Sequence, residues 1–331
     1  MARTSATAGE TSCATQFPFA CGSARITRRA AVVLLAFASP ATAVANAQRP
    51  MIAPAVLAAP GSTRALALGN AYTALGADPD AIFYNPAQLV AARGISLGLQ
   101  RYGARSSLMN LSAVSVLAPG TVGIGVQLLD QASSAASFRD LTDRGESALF
   151  ARGSTLATGA VASLAYARPA IFNLRLGIGV KLIHQQFGNA RDLTGAFDVG
   201  VARGSTIQLA LVGRNLGHGI RLGSGTIALP REVAFGAALS RREIGPLDLA
   251  ATASVSMLAG GTLVGGGGTE WSYMPLDGFT FAARIGYRAV ERAESHLTLG
   301  GGFVGERVSL DYAFQAPDGA GSAHRIGIRW R

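Results

Sequence analysis

In a chain of 331 residues with only 15% charged positions, the few side chains able to do chemistry stand out. Asp78 and Asp80 lie two apart, followed closely by Asn85-Pro86-Ala87. Paired carboxylates at that spacing can pair with guanidinium groups, cap turns or hold a cation. Calcium needs six to eight oxygen ligands, and no further acids accompany this pair, so ion pairing and turn capping remain as readings. Bases are almost all arginine, with Lys181 the one lysine. The histidines, His184, His218, His296 and His324, show no metal-ligand spacing. "GTVGIGV" at 120–126 lies in a strand-like stretch with no helix behind it, and "VGGGG" at 264–268 lacks the Lys-Ser/Thr of a phosphate loop. A hydrolase set into a sheet wall would need Ser and His together on one face. His184 has the phase for this but no convincing Ser or Asn partner. No enzyme, cofactor or metal is expected.

The ends of the chain place these residues in context. "RITRRAAVVLLAFASPATAVANAQ" joins a basic start (Arg25, Arg28, Arg29) to an apolar run from Ala30 to Phe37 and a small-residue ending at Ala47. That is the build of a secretory signal peptide, so residues 1–47 are expected to be removed. Both cysteines, Cys13 and Cys21, lie there, which excludes thiol and disulfide chemistry from the remainder. Removing four arginines and one glutamate lowers the net charge from +10 to +7. The remaining arginines are scattered, without a basic cluster or interleaved aromatics, so no nucleic acid partner is expected.

From Ile95 to the end the pattern has a period of two. Leu174, Leu176, Ile178, Val180 and Leu182 share a face opposite Arg175, Gly177, Gly179 and Lys181. Phe279, Phe281, Ala283, Ile285 and Tyr287 oppose Arg284 and Arg288; Val308, Leu310, Tyr312 and Phe314 oppose Arg307 and Asp311; Ile326, Ile328 and Trp330 oppose Arg325 and Arg329. With 42 glycines, a mean hydropathy of +0.30 and no run of about 20 apolar residues after the leader, the apolar content is spread through strands rather than helices. About fourteen strands are expected over 95–331, joined alternately by tight turns and looser connections such as 131–156, 187–194, 214–231 and 316–322. The fold class is therefore all-β, a transmembrane antiparallel β-barrel, with outer-membrane lipid outside and the charged faces in its lumen. Trp271, Tyr273 and Trp330 suit an interfacial belt. The strand that ends the chain resembles the signal read by barrel-insertion machinery, although Arg331 follows its aromatic residue.

Residues 48–94 break the alternation. Ala65 to Leu75 reads as a short helix or turn with Leu66, Leu68, Tyr72 and Leu75 as apolar contacts. Gly76, Asp78-Pro79 and Asp80 then read as a turn, and Asn85 before Pro86 is held extended. The stretch resembles the N-terminal region of the FadL-type outer-membrane transporters and the related PorV/PorQ family. The matching residues are Arg64-Ala65-Leu66, Leu68-Gly69, Ala71, Asp78, Asp80-Ala81, Asn85-Pro86-Ala87 and Leu89. Gln88 departs from the glycine usual after the motif. The short length and the wording "RALALGNAYTAL" lean towards PorV/PorQ.

The resemblance implies that 48–94 folds into the lumen as a hatch. Asp78 and Asp80 could then pair with Arg175, Arg284 or Arg325, and Asn85 with exposed strand backbone. It implies passage of hydrophobic, fatty-acid-like small molecules through a hatch-plugged barrel. The alternatives are an accessory of type IX secretion, whose partners would be secreted proteins, and a structural barrel without transport.

Overall fold

The computed structural model describes residues 54–102, 106–132, 156–222, 225–289, 297–318 and 321–331. The leader, residues 48–53, nearly all of the 131–156 connection and His296 lie outside them. The described residues belong to one compact unit, Arg49–Arg331.

Sixteen strands follow one another: β1 (Gly94–Tyr102), β2 (Ser106–Leu117), β3 (Gly120–Ala132), β4 (Leu156–Pro169), β5 (Leu174–Phe187), β6 (Ala190–Arg203), β7 (Ile207–Gly217), β8 (Ile220–Leu222), β9 (Gly225–Ile227), β10 (Glu232–Ile244), β11 (Leu247–Leu258), β12 (Leu263–Leu276), β13 (Phe279–Ala289), β14 (Leu297–Val304), β15 (Val308–Asp318) and β16 (Gly321–Trp330). β8 and β9 form a separate hairpin between β7 and β10. The other fourteen make an antiparallel meander that closes where β1 meets β16, from Ile95 opposite Trp330 to Tyr102 opposite Ala323. Closure leaves no sheet edge, so every strand can pair its backbone in a medium without water.

The period of two decides which face meets lipid. Along β5, Leu176, Ile178, Val180 and Leu182 are 43–60% exposed, whereas Gly177, Lys181 and Ile183 between them are buried. An exterior this apolar would be costly in water, and it defines a membrane-spanning barrel. An even strand number brings both ends of the sheet to one rim. Turns at that rim are short: 118–119, 170–173, 204–206, 245–246, 277–278 and 305–307. The strand ends that flank the longest connections, 133–155 and 218–231, lie at the other. By the usual asymmetry of such barrels the short-turn rim faces the periplasm. Trp271, Tyr273 and Trp330 point outward on the periplasmic half.

Two expected loops are shorter than the sequence suggested. β5 and β6 pair almost to their tips, leaving only Gly188 and Asn189, and β15 and β16 leave only 319–320.

The segment 54–93 lies inside the barrel. It contains helices α1 (Ala55–Ala58) and α2 (Thr63–Ala67), then two 3-10 turns, Pro79–Phe83 and Pro86–Ala91. α2 starts where the Ser62 hydroxyl accepts from the Ala65 amide at 3.4 Å. It ends earlier than the apolar spacing predicts because Gly69 and Asn70 both take positive φ. Small inward residues make room for this segment. A methyl group at Gly200 would collide with the Asn85 side chain, and one at Gly177 with the backbone at Pro86-Ala87.

Candidate functional site

Three residues of the 54–93 segment join a buried ionic chain that runs along the inner face of the barrel wall. From α2, Arg64 donates to both oxygens of Glu270 on β12, at 2.7 and 2.8 Å. Arg284 on β13 donates from Nε to Glu270 (2.6 Å) and from Nη1 to Asp311 on β15 (2.6 Å). Arg329 on β16 donates to Asp311 at 2.7 Å and reaches Asp78 at 3.4 Å. Asp78 also accepts from the Tyr72 hydroxyl. Three cations meet three anions, and the bidentate Arg64–Glu270 pair is the strong kind. Each charge compensates another, as burial requires. Burial opposes the charge on Arg64, yet Glu270 beside it holds the guanidinium well above its ordinary range. Burial, followed by the Asp78 carboxylate, raises the Tyr72 hydroxyl well above its ordinary range, which keeps it a donor.

A second knot centres on Arg325 of β16, fully buried. Its guanidinium donates to Thr63 Oγ1 (3.1 Å), Pro60 O (2.8 Å), Gln100 Oε1 (2.9 Å) and Asn110 Oδ1 (3.0 Å). Two of these acceptors belong to the segment and two to β1 and β2. Close by, Asp80 accepts from Ser112 Oγ at 2.7 Å. Burial first, and then Asp78, push the Asp80 carboxyl up to about 6, against the opposing effects of Ser112 and Arg325.

Asn85 folds the segment onto itself. Its Oδ1 accepts from Ala87 N at 3.0 Å and its Nδ2 donates to Thr73 O at 3.1 Å. Gln88, in the place of the expected glycine, donates to Ala74 O at 2.8 Å, so the departure is accommodated by a further bond.

On the long-loop side of the segment lies a cavity of about 180 Å³. Its lining mixes Leu57, Leu258 and Tyr84 with Lys181, Arg214 and Glu232. Lys181 pairs with Asp198 (2.7 Å) and donates to Asn215 (2.8 Å); Arg214 pairs with Glu232 and sits 5.6 Å from the centroid of the Tyr84 ring. The Tyr84 hydroxyl accepts from Gly61 N (2.9 Å) and donates to Asn70 Oδ1 (2.7 Å), and burial raises it to about 12. Beside the cavity, Val56 of α1 packs into an apolar cluster of inward-facing Leu108, Leu129, Val161 and Ile183. A second cavity, of about 310 Å³ and strongly ionic, opens towards the periplasmic rim beside the Arg64–Glu270–Arg284 chain.

Several expectations change. Arg307 does not face the lumen: β15 begins one residue later, so Arg307 is exposed in the periplasmic turn, where its carbonyl accepts from Arg331 N. Asp78 pairs with Arg329, not with Arg175, Arg284 or Arg325, and the hydrogen bond of Asp80 comes from Ser112. Arg175 faces inward but donates to Gln208 at 2.9 Å. Asn85 bonds within its own segment rather than to strand backbone. Arg288 shares the inward phase of Arg284 and lines the 180 Å³ cavity. Gly69 supplies the positive φ behind α2, and its amide donates to Thr298 Oγ1 at 3.1 Å.

Glu270, Tyr72 and Asp198 were missed. For Glu270 a signal existed, a lone acid in the polar phase of a glycine-rich strand. Tyr72 reads from the sequence only as an apolar contact.

No family model and no curated protein matches the sequence. Solved structures do match. The deltaS2S3 mutant of TodX, a monoaromatic hydrocarbon channel, aligns over 81% of this chain and 97% of its own, with 13% identity and a TM-score of 0.55. The Pseudomonas putida toluene transporter TodX aligns over 80% and 95%, with 13% identity and a TM-score of 0.52. A Pseudomonas aeruginosa FadL homologue aligns over 81% and 97%, with 12% identity and a TM-score of 0.50. The chain shares their fold. At this identity the likeness extends to the barrel architecture alone, and it does not speak to the PorV/PorQ branch.

Proposed function

We propose that this protein is an outer-membrane channel for hydrophobic small molecules, with residues 48–94 as its hatch. The observation that carries the reading is the apolar patch inside the lumen. A water-filled barrel has a polar interior, yet Leu108, Leu129, Val161 and Ile183 face inward here, next to a cavity with a mixed lining. Such a site suits a ligand that is mostly apolar with a few polar contacts. TodX, a toluene transporter and monoaromatic hydrocarbon channel with the same barrel fold, agrees with that substrate class. Export by the leader and residence in the outer membrane belong to the same reading. The PorV/PorQ affiliation rests on the wording of residues 64–89.

The test is uptake by cells carrying the protein compared with cells carrying the empty vector. Entry of an apolar fluorescent probe such as N-phenylnaphthylamine is expected to rise, while entry of a small hydrophilic sugar stays unchanged. Replacing Leu108 and Val161 by aspartate is expected to abolish the gain. Sugar entry without probe entry would overturn the proposal.

A further inference from the structure

The outer face of β15 and β16 holds a second chemically capable group. Ser322 and His324 lie two apart on β16 and so share a face, and strand phase turns both outward, opposite buried Ala323 and Arg325. His324 Nε2 is 3.3 Å from Ser322 Oγ, and His324 Nδ1 is 2.8 Å from the Tyr312 hydroxyl on β15. The Phe314 ring packs on the same imidazole with centroids 5.2 Å apart. His324 is therefore bonded through both nitrogens and held by an aromatic neighbour. That is the order of parts in a nucleophile, a base and an orienting group. The register partner of His324 on β1 is Arg101, which also faces outward. All of these sit near the long-loop rim.

We propose that Ser322, His324 and Tyr312 form a serine esterase site on the lipid-facing wall, acting on acyl esters of membrane lipids. This goes against the expectation of no enzyme and stands apart from the channel reading. With Nδ1–H donating to Tyr312, Nε2 takes the proton of Ser322 as Oγ bonds to the ester carbonyl carbon. Arg101 supplies positive charge on the same face for the oxyanion that develops. The carbon–oxygen ester bond breaks, and His324 returns its proton to the departing alcohol. Water, deprotonated by His324, then attacks the acyl carbon; the bond to Ser322 Oγ breaks, the fatty acid leaves, and His324 returns the proton to Oγ. Ser322 and His324 are the catalytic residues; Tyr312 is a positioning residue.

The test uses the full folded chain in dodecylmaltoside micelles and an alkyl fluorophosphonate. A single adduct is expected on Ser322, located by peptide mass. Ser322→Ala is expected to give no adduct, and His324→Asn to label about 100-fold more slowly, in line with the loss of a general base. On mixed micelles of dioctanoylphosphatidylcholine, Tyr312→Phe is expected to lower kcat about tenfold and leave KM unchanged, a split that a merely structural role would not give. All three positions lie on the exterior, and heat-dependent gel mobility verifies that each variant is folded. The proposal is overturned by the lack of an adduct on Ser322, by equal labelling of His324→Asn, or by lipid turnover that survives Ser322→Ala.

Discussion

Asp80 is buried inside the barrel, where its hydrogen bond comes from a hydroxyl and not from a guanidinium. Its carboxyl titrates near 6 in the folded protein and near 4 when the chain is unfolded. A raised folded value means that the native state holds the proton more tightly. The resulting stability is complete below about pH 4 and is lost as the pH rises through 6. A shift of about two units corresponds to roughly 2–3 kcal/mol. Denaturant unfolding at pH 4.5 and 7.5 should show this difference, and Asp80→Asn, which keeps an acceptor for Ser112, should remove that share of it. Arg325 makes a second prediction. Arg325→Met strands four acceptors, two of them on the segment, and should weaken its docking by about 3–5 kcal/mol. Faster proteolysis between Pro54 and Arg93, with the barrel intact, is the readout. Asp78, Asp80 and Asn85 were legible as a group because turn chemistry is local. Their partners were not: whether Asp78 meets Arg284 or Arg329 depends on how the closed barrel staggers its strands, and no local pattern records that.

Strands were easier to read than their ends. One face is fixed by lipid and the other by the lumen, so alternation along β5, β13, β15 and β16 survives without long-range information. The ends were misjudged where polar side chains sit in strand. Ala190 to Thr194 reads as loop, yet it pairs with Ile183 to Phe187 beside the hairpin tip, where an outward Arg191 costs little. Helix α2 is cut short for a different reason. The spacing of Leu66, Leu68, Tyr72 and Leu75 is helical in type, but Gly69 and Asn70 turn the chain out of the helix after Ala67. The lipid-facing assignment predicts an asymmetry between neighbours. Val180 lies near the middle of β5 and is 57% exposed, whereas Lys181 beside it is buried and paired. Val180→Arg should cost about 2–4 kcal/mol, the usual cost of an arginine at the bilayer midplane. Urea titration of folding into dilauroylphosphatidylcholine vesicles measures it, and a loss near zero would mean that this face does not meet lipid.

At the scale of the whole molecule the question is what keeps a fourteen-strand barrel closed to water. A barrel of this size encloses room for a channel unless something fills it. Here the wall meets the segment half-way. Gly177 and Gly200 leave space for the Asn85-Pro86-Ala87 turn, Gly286 for Gly69, and Gly327 for Thr63. The polar groups of the wall that would otherwise face water are bonded to the same segment: Glu270 to Arg64, Arg325 to Pro60 and Thr63, Arg329 to Asp78. These bonds are worth most where water is excluded, and each has a hydrated substitute once water enters. Removing residues 48–92 should therefore leave a barrel that still folds, because its strand ladder is complete without them and its lumenal charges become solvated. The same deletion should create a steady ion-conducting pore in planar bilayers, where the full protein is nearly silent. Gly200→Val, which drives a side chain into Asn85, should give intermittent openings between these extremes. A deleted barrel that folds yet conducts no better than the whole protein would show that something other than this segment blocks the lumen.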